Sequence, residues 1–311
     1  MSTADNGDMA ISPTHPFIAV DWGTTSFRAA LIAPDGEILD ELAETRGILS
    51  FKQGEFAPYL ISTCSRMTKA GGQSFVLSGM IGSKDGMAEV PYCASPATVV
   101  DVARGVRWAV KDRVAIAPGV RQGNDDVMRG EEIQIFGAAA VLGLRDAMMV
   151  LPGTHSKWVN LESGAILGFN TFMTGEVYAL LAQHSILAKS FAQHSTLFEP
   201  QAFLQGIDFA QGGVSLLNTA FSVRVKTLFK ELTPEHAASY LSGIVIGEEL
   251  AAMQVQPGVE LVVIGSQQLT ERYQIALEHL GANVRTLGSQ AAWAGLYQVY
   301  QALTRLPSQP A

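Results

Sequence analysis

Two short segments of the chain carry the same pattern of glycine and hydroxyl residues. Gly23-Thr24-Thr25-Ser26 and Gly153-Thr154-His155-Ser156 each follow a short apolar run, and Leu31 and Leu161 lie at the same spacing behind them. Glycine lets the backbone approach an anion closely, and the N–H groups and hydroxyls that follow can donate hydrogen bonds to it. One copy alone would be an ordinary hairpin turn. Because the pattern occurs twice, it predicts two phosphate-binding hairpins, one in each of two domains, that clasp a polyphosphate.

Asp21 lies at the end of the apolar run before the first hairpin. A carboxylate beside a phosphate loop can hold Mg²⁺, usually through water, because Mg²⁺ keeps much of its hydration. The second copy has Leu151 at this position, so we expect only the first hairpin to bind the metal. The sequence has no Gly-x-x-x-x-Gly-Lys-Ser/Thr loop and no Gly-x-Gly-x-x-Gly segment after a strand, which disfavours P-loop and Rossmann sites.

The composition excludes several classes of protein. The 311 residues carry a net charge of −8, with 48% hydrophobic and 16% charged residues, whereas a disordered chain has low hydrophobicity and high charge. The acidic balance disfavours a nucleic-acid coat, which needs a basic face. Cys64 and Cys93 cannot form a disulfide framework, and no apolar run is long enough to span a bilayer. We therefore expect a globular cytoplasmic protein with neither a nucleic-acid nor a membrane partner.

The elements that position the hairpins follow an α/β order. Short apolar runs bounded by turn residues predict strands, and apolar residues at helical spacing predict helices. The predicted strands are 17–20, 28–32, 37–43, 74–78, 114–117, 147–151, 157–161, 165–173, 261–264 and 284–287. The predicted helices are 56–70, 131–144, 270–280 and 290–303, with further helical patterns up to residue 253. Each hairpin thus opens a three-stranded meander, and residues 1–15 and 307–311 are predicted to be flexible tails.

Several further segments resemble those of a known family. The more specific ones are Met-Arg-Gly-Glu-Glu at 128–132 and Pro-Gly-Thr-His-Ser-Lys-Trp-Val at 152–159; the others lie at 79–83, 90–92, 126–127, 171–176, 241–243 and 269–273. Together with the first hairpin, they resemble the actin-like sugar-kinase superfamily and, more narrowly, the 2-dehydro-3-deoxygalactonokinase family. The segments keep their order over almost the whole chain.

This resemblance implies a fold and a reaction. The fold would be two RNase H-like domains of the actin-like ATPase type, at 16–140 and 141–311, with a nucleotide cleft between them. The last helix, 289–304, would pack back on the first domain. The reaction would transfer the γ-phosphate of ATP to the 6-hydroxyl of 2-dehydro-3-deoxy-galactonate, with Mg²⁺ as cofactor, in galactonate catabolism.

The resemblance also implies roles for the nucleotide-binding candidates. Thr24, Thr25 and Ser26 would hold the β- and γ-phosphates after Gly23, and Gly153, Thr154, His155 and Ser156 would hold the phosphates from the other side. Gly265, Ser266 and Gln267 follow a predicted strand and precede a predicted helix, which suits packing of adenine or ribose, although an ordinary strand–helix turn would have the same pattern.

The reacting groups need a base and cations. A hydroxyl nucleophile benefits from a carboxylate that accepts its proton. The resemblance implies such a carboxylate ahead of the second hairpin, at a helix start, and Asp126, with Glu131 as its rival, lies there. Each could instead cap the helix or compensate its dipole. Lys157 and Arg28 are the cations nearest the hairpins in sequence. They could stabilise charge on the transferring phosphoryl group or bind the carboxylate of the sugar acid. Lys157 could equally be a solvated strand residue.

The substrate carboxylate needs donors of its own. Ser83, Lys84 and the predicted helix start at Thr174-Gly175-Glu176 are the candidates, because a helix N-terminus offers free N–H groups to anions. Glu176 would more readily accept hydrogen bonds from sugar hydroxyls. The stretch 84–89 lacks the aromatic residue that relatives tend to have near Met87, so the identity of the sugar acid stays open.

Three alternatives remain beside this interpretation. The chain could be a kinase of another sugar or 2-keto-3-deoxy sugar acid, a non-kinase actin-like ATPase, or a sugar-sensing protein with a decayed site. The length leaves little room for the insertions that filament or chaperone ATPases carry, and the intact Asp21, Thr24, Gly153 and Lys157 disfavour decay. The oligomeric state is open, with a homodimer as one possibility.

Overall fold

The computed structural model describes residues 12–71, 74–192, 197–288 and 290–306. Most of the predicted N-terminal tail and all of the predicted tail at 307–311 lie outside these residues. The chain divides into two units. Unit 1 contains the described residues of 1–146, 160–169 and 289–311, and unit 2 those of 147–159 and 170–288. The predicted domains at 16–140 and 141–311 stay a prediction, since compactness alone does not identify an RNase H-like domain.

The described strands and helices occur in mixed order along the chain. The strands are β1 (Phe17–Trp22), β2 (Phe27–Ile32), β3 (Ile38–Glu44), β4 (Ser74–Ser78), β5 (Cys93–Ala94), β6 (Ala97–Thr98), β7 (Arg107–Val110), β8 (Val114–Ile116), β9 (Val120–Gln122), β10 (Asp126–Met128), β11 (Ala147–Leu151), β12 (Ser156–Glu162), β13 (Ala165–Phe172), β14 (Glu260–Ile264) and β15 (Asn283–Leu287). The helices are α1 (Phe56–Thr63), α2 (Ser65–Lys69), α3 (Val99–Arg104), α4 (Glu131–Leu142), α5 (Thr174–His184), α6 (Pro200–Ala210), α7 (Leu216–Thr219), α8 (Ser222–Leu228), α9 (Pro234–Ala252), α10 (Gln267–His279) and α11 (Gln290–Arg305). None of these described helices is both long enough and apolar enough to cross a membrane.

The central sheet of unit 1 places the first hairpin at a strand end. Its order is β3-β2-β1-β4-β8-β7, with β1 antiparallel to β2 and parallel to β4. Residues 17–20 of β1 are fully buried, as expected of a strand covered on both faces. The predicted meander of three antiparallel strands is confirmed. Asp21 pairs with Arg28 across the hairpin and with Ser78 on the other side.

Helix α11 packs against α4 within unit 1, through two glycines. A Cβ atom on Gly295 would lie 1.9 Å from the carbonyl oxygen of Ile133, and one on Gly137 would lie 1.8 Å from that of Ala291. Only residues without a side chain allow the two backbones to approach so closely. The C-terminal helix therefore belongs to the same unit as the first hairpin.

The sequence patterns missed several short elements and joined two helices into one. Strands β5, β6, β7, β9 and β10 and helix α3 lie where no element was expected, because two to six residues are too few to show a period. The predicted helix at 56–70 is two helices, α1 and α2, which meet at Cys64. Strands β9, β10 and β5 form a small separate sheet.

A second six-stranded sheet has the order β15-β14-β11-β12-β13-β6. Strand β14 is parallel to both β11 and β15. In unit 2, α6 packs on α9, where a Cβ atom on Gly243 would lie 2.0 Å from the carbonyl oxygen of Phe203. Strand β11 leads into the second hairpin and β14 into the turn at 265–267, so both turns lie at the carboxyl ends of neighbouring parallel strands.

Candidate active site

The first hairpin is a tight turn whose hydroxyl side chains point to solvent. The Gly23 N–H donates to the Ser26 carbonyl at 2.9 Å, and Thr24, Thr25 and Ser26 are exposed. The loop at 47–49 supports the turn from one side: a Cβ atom on Gly47 would lie 2.2 Å from the Thr24 carbonyl oxygen. The turn is thus rigid at its backbone and leaves three hydroxyl groups free to meet a ligand. Gly47 had no local signal in the sequence.

Asp21 sits beside this turn and forms an ion pair with Arg28. The Arg28 guanidinium also lies 5.7 Å from the ring centroid of Trp293, on α11. Both Asp21 and Arg28 are partly exposed. The ion pair therefore joins Asp21, the candidate metal ligand, to Arg28, the candidate for charge stabilisation.

Two further segments of unit 1 converge on Asp21 through glycines. A Cβ atom on Gly79, which follows β4, would lie 3.2 Å from Asp21 Oδ1. A Cβ atom on Gly130 would in turn lie 3.1 Å from the Cα atom of Gly79. Both glycines have positive φ, of 90° and 105°, which other residues rarely adopt. The end of β1, the turn after β4 and the start of α4 therefore meet at one place.

The two carboxylates proposed as a base lie on different elements. Glu131 begins α4, as expected, and its Oε2 accepts from the Arg129 N–H at 2.9 Å. Asp126 does not lie at a helix start: it is the first residue of β10, and its Oδ1 accepts from the Val127 N–H at 2.8 Å. The helix-capping alternative for Asp126 is thereby wrong, since the N-cap of α4 is Gly130.

Glu132, next to Glu131, is a buried acid that sequence analysis did not single out. Its side chain is only 1% exposed. Its Oε2 accepts from the Gly130 N–H at 2.8 Å, whereas its Oε1 has no partner among the described residues. Burial, and next the charge of Glu131, raise the pKa of Glu132 from 4.5 to about 8. The raised pKa favours the protonated form of Glu132 at neutral pH.

Ser83 and Arg129 carry hydrogen-bond donors that lack a partner among the described residues, and the Arg129 guanidinium lies beside Gly82, the neighbour of Ser83 in the chain. Arg129 stacks 4.1 Å over the ring of Tyr92, and its Nη2 donates to the Val90 carbonyl at 2.8 Å. Its Nη1 would lie 2.9 Å from a Cβ atom on Gly82. The Nε and Nη1 atoms of Arg129 and the Oγ of Ser83 have no hydrogen-bond partner in the part of the chain that the structure describes.

Of these two donors, sequence reasoning assigned a role only to Ser83, although Arg129 lies in the specific segment at 128–132. Lys84, the other candidate for the substrate carboxylate, is exposed on the loop after Ser83.

The second hairpin is held against the start of α5, within unit 2. The Thr154 carbonyl accepts from the Glu176 N–H at 3.0 Å, and His155 Nε2 lies 2.6 Å from Glu176 Oε2. A Cβ atom on Gly175 would lie 2.4 Å from the Gly153 carbonyl oxygen. The structure therefore brings together two candidate groups that the sequence placed apart: the hairpin at 153–156 and the helix start at 174–176.

The remaining candidates of unit 2 differ in exposure. Lys157 is 4% exposed and donates from Nζ to Thr171 Oγ1 at 2.8 Å, so it is not a solvated strand residue. Gly265, Ser266 and Gln267 join β14 to α10, with Ser266 as the N-cap residue. Ser266 and Gln267 are exposed, and Gln267 donates to Glu271 at 2.8 Å.

The donor set at the first hairpin suits Mg²⁺ rather than a transition metal. No group of three or more His, Cys, Asp or Glu side chains that could hold a metal occurs among the described residues. Asp21 and the hydroxyls of residues 24–26 offer hard oxygen atoms only, and Mg²⁺ is commonly held by one or two carboxylates while water and substrate phosphates complete its shell. Asp21 alone could therefore anchor a hydrated Mg²⁺.

Comparison with known proteins identifies relatives over nearly the whole chain. The family model described as 2-keto-3-deoxy-galactonokinase matches residues 21–299. The relative named "Probable 2-dehydro-3-deoxygalactonokinase DgoK1", from Rhizobium meliloti (strain 1021), is 35% identical over 92% of this chain and 97% of its own. The 2-dehydro-3-deoxygalactonokinase of Escherichia coli (strain K12) is 32% identical over 93% of this chain and 99% of its own.

Solved structures agree with the sequence relatives. The crystal structure of a member of the same family from Sinorhizobium meliloti has a TM-score of 0.83 and 34% identity, and the match covers 93% of this chain and all of that one. Component A of the (R)-2-hydroxyglutaryl-CoA dehydratase of Acidaminococcus fermentans has a TM-score of 0.53 at 13% identity, over 94% of this chain and all of that one. The latter similarity concerns the fold alone, which is that of the actin-like ATPases.

Proposed function

Because the chain belongs to the 2-keto-3-deoxy-galactonokinase family, we propose that it transfers the γ-phosphate of ATP to the 6-hydroxyl of 2-dehydro-3-deoxy-galactonate. The family resemblance and the α/β, actin-like fold class expected from the sequence are confirmed. The enzyme is a phosphotransferase with an alcohol acceptor, and its substrate places it in galactonate catabolism. We expect it to act in the cytoplasm, where ATP is available.

The observation that carries this proposal is the convergence on Asp21. Phosphoryl transfer depends on positioning and on stabilisation of charge rather than on covalent chemistry. The hairpin at 23–26 offers backbone N–H groups and three exposed hydroxyls, and we assign it to the β- and γ-phosphates of ATP. Gly153, Thr154 and His155 offer a second set of such donors for the phosphates.

Asp21 would anchor Mg²⁺ through water, beside the phosphate donors. When bound, Mg²⁺ neutralises charge on the phosphate oxygens. Arg28, which pairs with Asp21, keeps that carboxylate oriented and adds positive charge at the same point.

The acceptor hydroxyl must lose its proton as it attacks. The O6–P bond forms while the bond between the γ-phosphorus and the bridging oxygen breaks, so ADP leaves and the O6 proton passes to a base. Asp126 and Glu131 are the two candidates.

The carboxylate of the sugar acid requires cationic or neutral donors. Ser83, Lys84 and the N–H groups at the start of α5 remain the candidates from sequence, and Arg129 joins them because two of its guanidinium nitrogens lack partners among the described residues. Glu176 would accept from sugar hydroxyls, and the turn at 265–267 would pack on adenosine.

Measurement of ADP release tests the proposal against its alternatives. The purified chain is assayed with Mg–ATP across a panel of 2-keto-3-deoxy sugar acids and neutral sugars. We expect stimulation by 2-dehydro-3-deoxy-galactonate above every other compound. Stimulation by a neutral sugar or by another acid would change the substrate, hydrolysis without any stimulation would indicate a non-kinase ATPase, and no turnover would indicate a sensing protein.

A further inference from the structure

Glu249 is a buried carboxylate on α9 that receives four hydrogen bonds from three other parts of unit 2. Its Oε1 accepts from Ser156 Oγ at 2.8 Å and from Trp158 Nε1 at 2.6 Å, both on β12. Its Oε2 accepts from Thr174 Oγ1 at the start of α5 and from Tyr273 OH on α10, the latter at 2.7 Å. The side chain is 2% exposed, and no cation of the described residues lies within ion-pair distance.

Burial raises the pKa of Glu249, while the four hydrogen bonds lower it. The four donors fill the four lone-pair positions that a carboxylate offers. The hydroxyl hydrogens of Ser156 and Thr174 are therefore directed inward, to Glu249, and are not available to a phosphate or a sugar acid. Both residues are also buried, at 0% and 8% exposure. The sequence assigned both residues to ligand binding, whereas in the structure both hydroxyls donate to Glu249.

Ser156 and Thr174 lie directly beside the contact between the second hairpin and α5. Ser156 ends the hairpin, and Thr174 precedes Gly175, whose backbone packs on Gly153. The Glu249 carboxylate therefore connects both sides of this contact to helix α9 by hydrogen bonds. Because backbone donors must be placed to within a fraction of an ångström to bind an anion well, the tie determines where the hairpin N–H groups point.

We propose that Glu249 is a positioning residue that holds the hairpin at 153–155 in its phosphate-binding geometry through Ser156, and holds α5 against it through Thr174. The inference rests on the proposed function in one respect, that this hairpin binds a phosphate of ATP. Tyr273 donates to the same carboxylate from α10, and its OH also lies 3.4 Å from Ser156 Oγ, so it belongs to the same network. Trp158 donates from Nε1 to Glu249 Oε1, and its removal leaves the hydrogen bonds of Ser156 and Thr174 to Glu249 in place.

The test compares variants that each remove one donor from the same carboxylate. For the wild type and for Ser156→Ala, Thr174→Val and Trp158→Phe, calorimetry measures the Kd of adenosine and of Mg–ADP, and scanning fluorimetry measures the Tm. The ratio of the two Kd values reports phosphate binding and does not depend on the fraction of folded protein. We expect Ser156→Ala and Thr174→Val to weaken ADP binding relative to adenosine binding by about tenfold, whereas Trp158→Phe lowers only the Tm.

A double variant separates positioning from direct contact. If Ser156 acts through Glu249, then Ser156→Ala has no further effect on the Kd ratio in a Glu249→Ala background. An undiminished effect there would show that Ser156 touches the phosphate itself, and an unchanged ratio in both single variants would likewise overturn the inference. Should Glu249→Ala not fold, the comparison of the three single variants decides alone.

Nucleotide binding and phosphate transfer by the wild type test the proposed function separately. A wild type that binds ADP but transfers no phosphate to the sugar acid refutes the proposed reaction, while the Kd ratios still decide the role of Glu249. A wild type that binds no nucleotide refutes both.

Discussion

Replacement of Glu132 by glutamine is expected to remove a pH-dependent loss of stability in unit 1, so that the variant is the less stable protein at low pH and the more stable one at high pH. Glu132 is fully buried at the start of α4, and its pKa is raised from 4.5 to about 8, first by burial and then by the charge of Glu131. Glutamine has nearly the same shape and can keep the hydrogen bond from the Gly130 N–H, but it does not titrate.

The magnitude follows from the pKa shift. A carboxyl whose pKa is higher in the folded than in the unfolded state binds more protons when folded, so its contribution is fully present below about pH 4.5 and is lost as the pH rises through about 8. The shift corresponds to a loss of roughly 5 kcal/mol over this range. Against this, the glutamine NH₂ has one donor hydrogen more than the protonated carboxyl, at the position of an Oε1 that has no partner among the described residues, and a buried unsatisfied donor costs about 1–3 kcal/mol. The variant should therefore be less stable than the wild type at pH 5 and more stable by roughly 2–4 kcal/mol at pH 9.

Urea unfolding at pH 5, 6, 7, 8 and 9 measures the difference in unfolding free energy between the two proteins. Glu235→Gln, an exposed first-turn position of α9, is the matched control and should show little change with pH. A Glu132→Gln difference that stays constant from pH 5 to pH 9 would refute the assignment of a protonated buried acid.

Three further outcomes are expected. Single-turnover transfer by Asp126→Asn and by Glu131→Gln should identify the base by a fall in rate of about 10²- to 10⁴-fold in one of the two variants; near-wild-type rates in both would exclude both. Gly175→Ala places a methyl group 2.4 Å from a hairpin carbonyl oxygen. It should therefore destabilise unit 2 by about 1–3 kcal/mol and raise the KM for ATP. An unaltered KM would argue against a phosphate role for this hairpin. Gly295→Ala, which forces α11 away from α4, should lower the thermal stability of unit 1 by a similar amount, and an unchanged Tm would contradict the close packing.

Local patterns explain which features could be anticipated. The first hairpin, its meander and the start of α4 depend on residues close together in the chain, and the structure has them where the glycine, hydroxyl and apolar residues indicated. The stretch 93–128 was largely missed because its elements are too short for a period, and so the carboxylate of Asp126 was placed at a helix start instead of on β10.

The sequence by itself determined the family, the α/β class and the two glycine–hydroxyl turns, because these depend on residue types at fixed short spacing. Only the tertiary structure decided that Gly79 and Gly130 meet beside Asp21, that Arg28 pairs with that carboxylate, and that Glu249 gathers four donors from distant segments. Such groups are brought together by packing, in which a buried charge is stable only where the fold supplies its hydrogen bonds. No local pattern in the chain records which distant donors those will be.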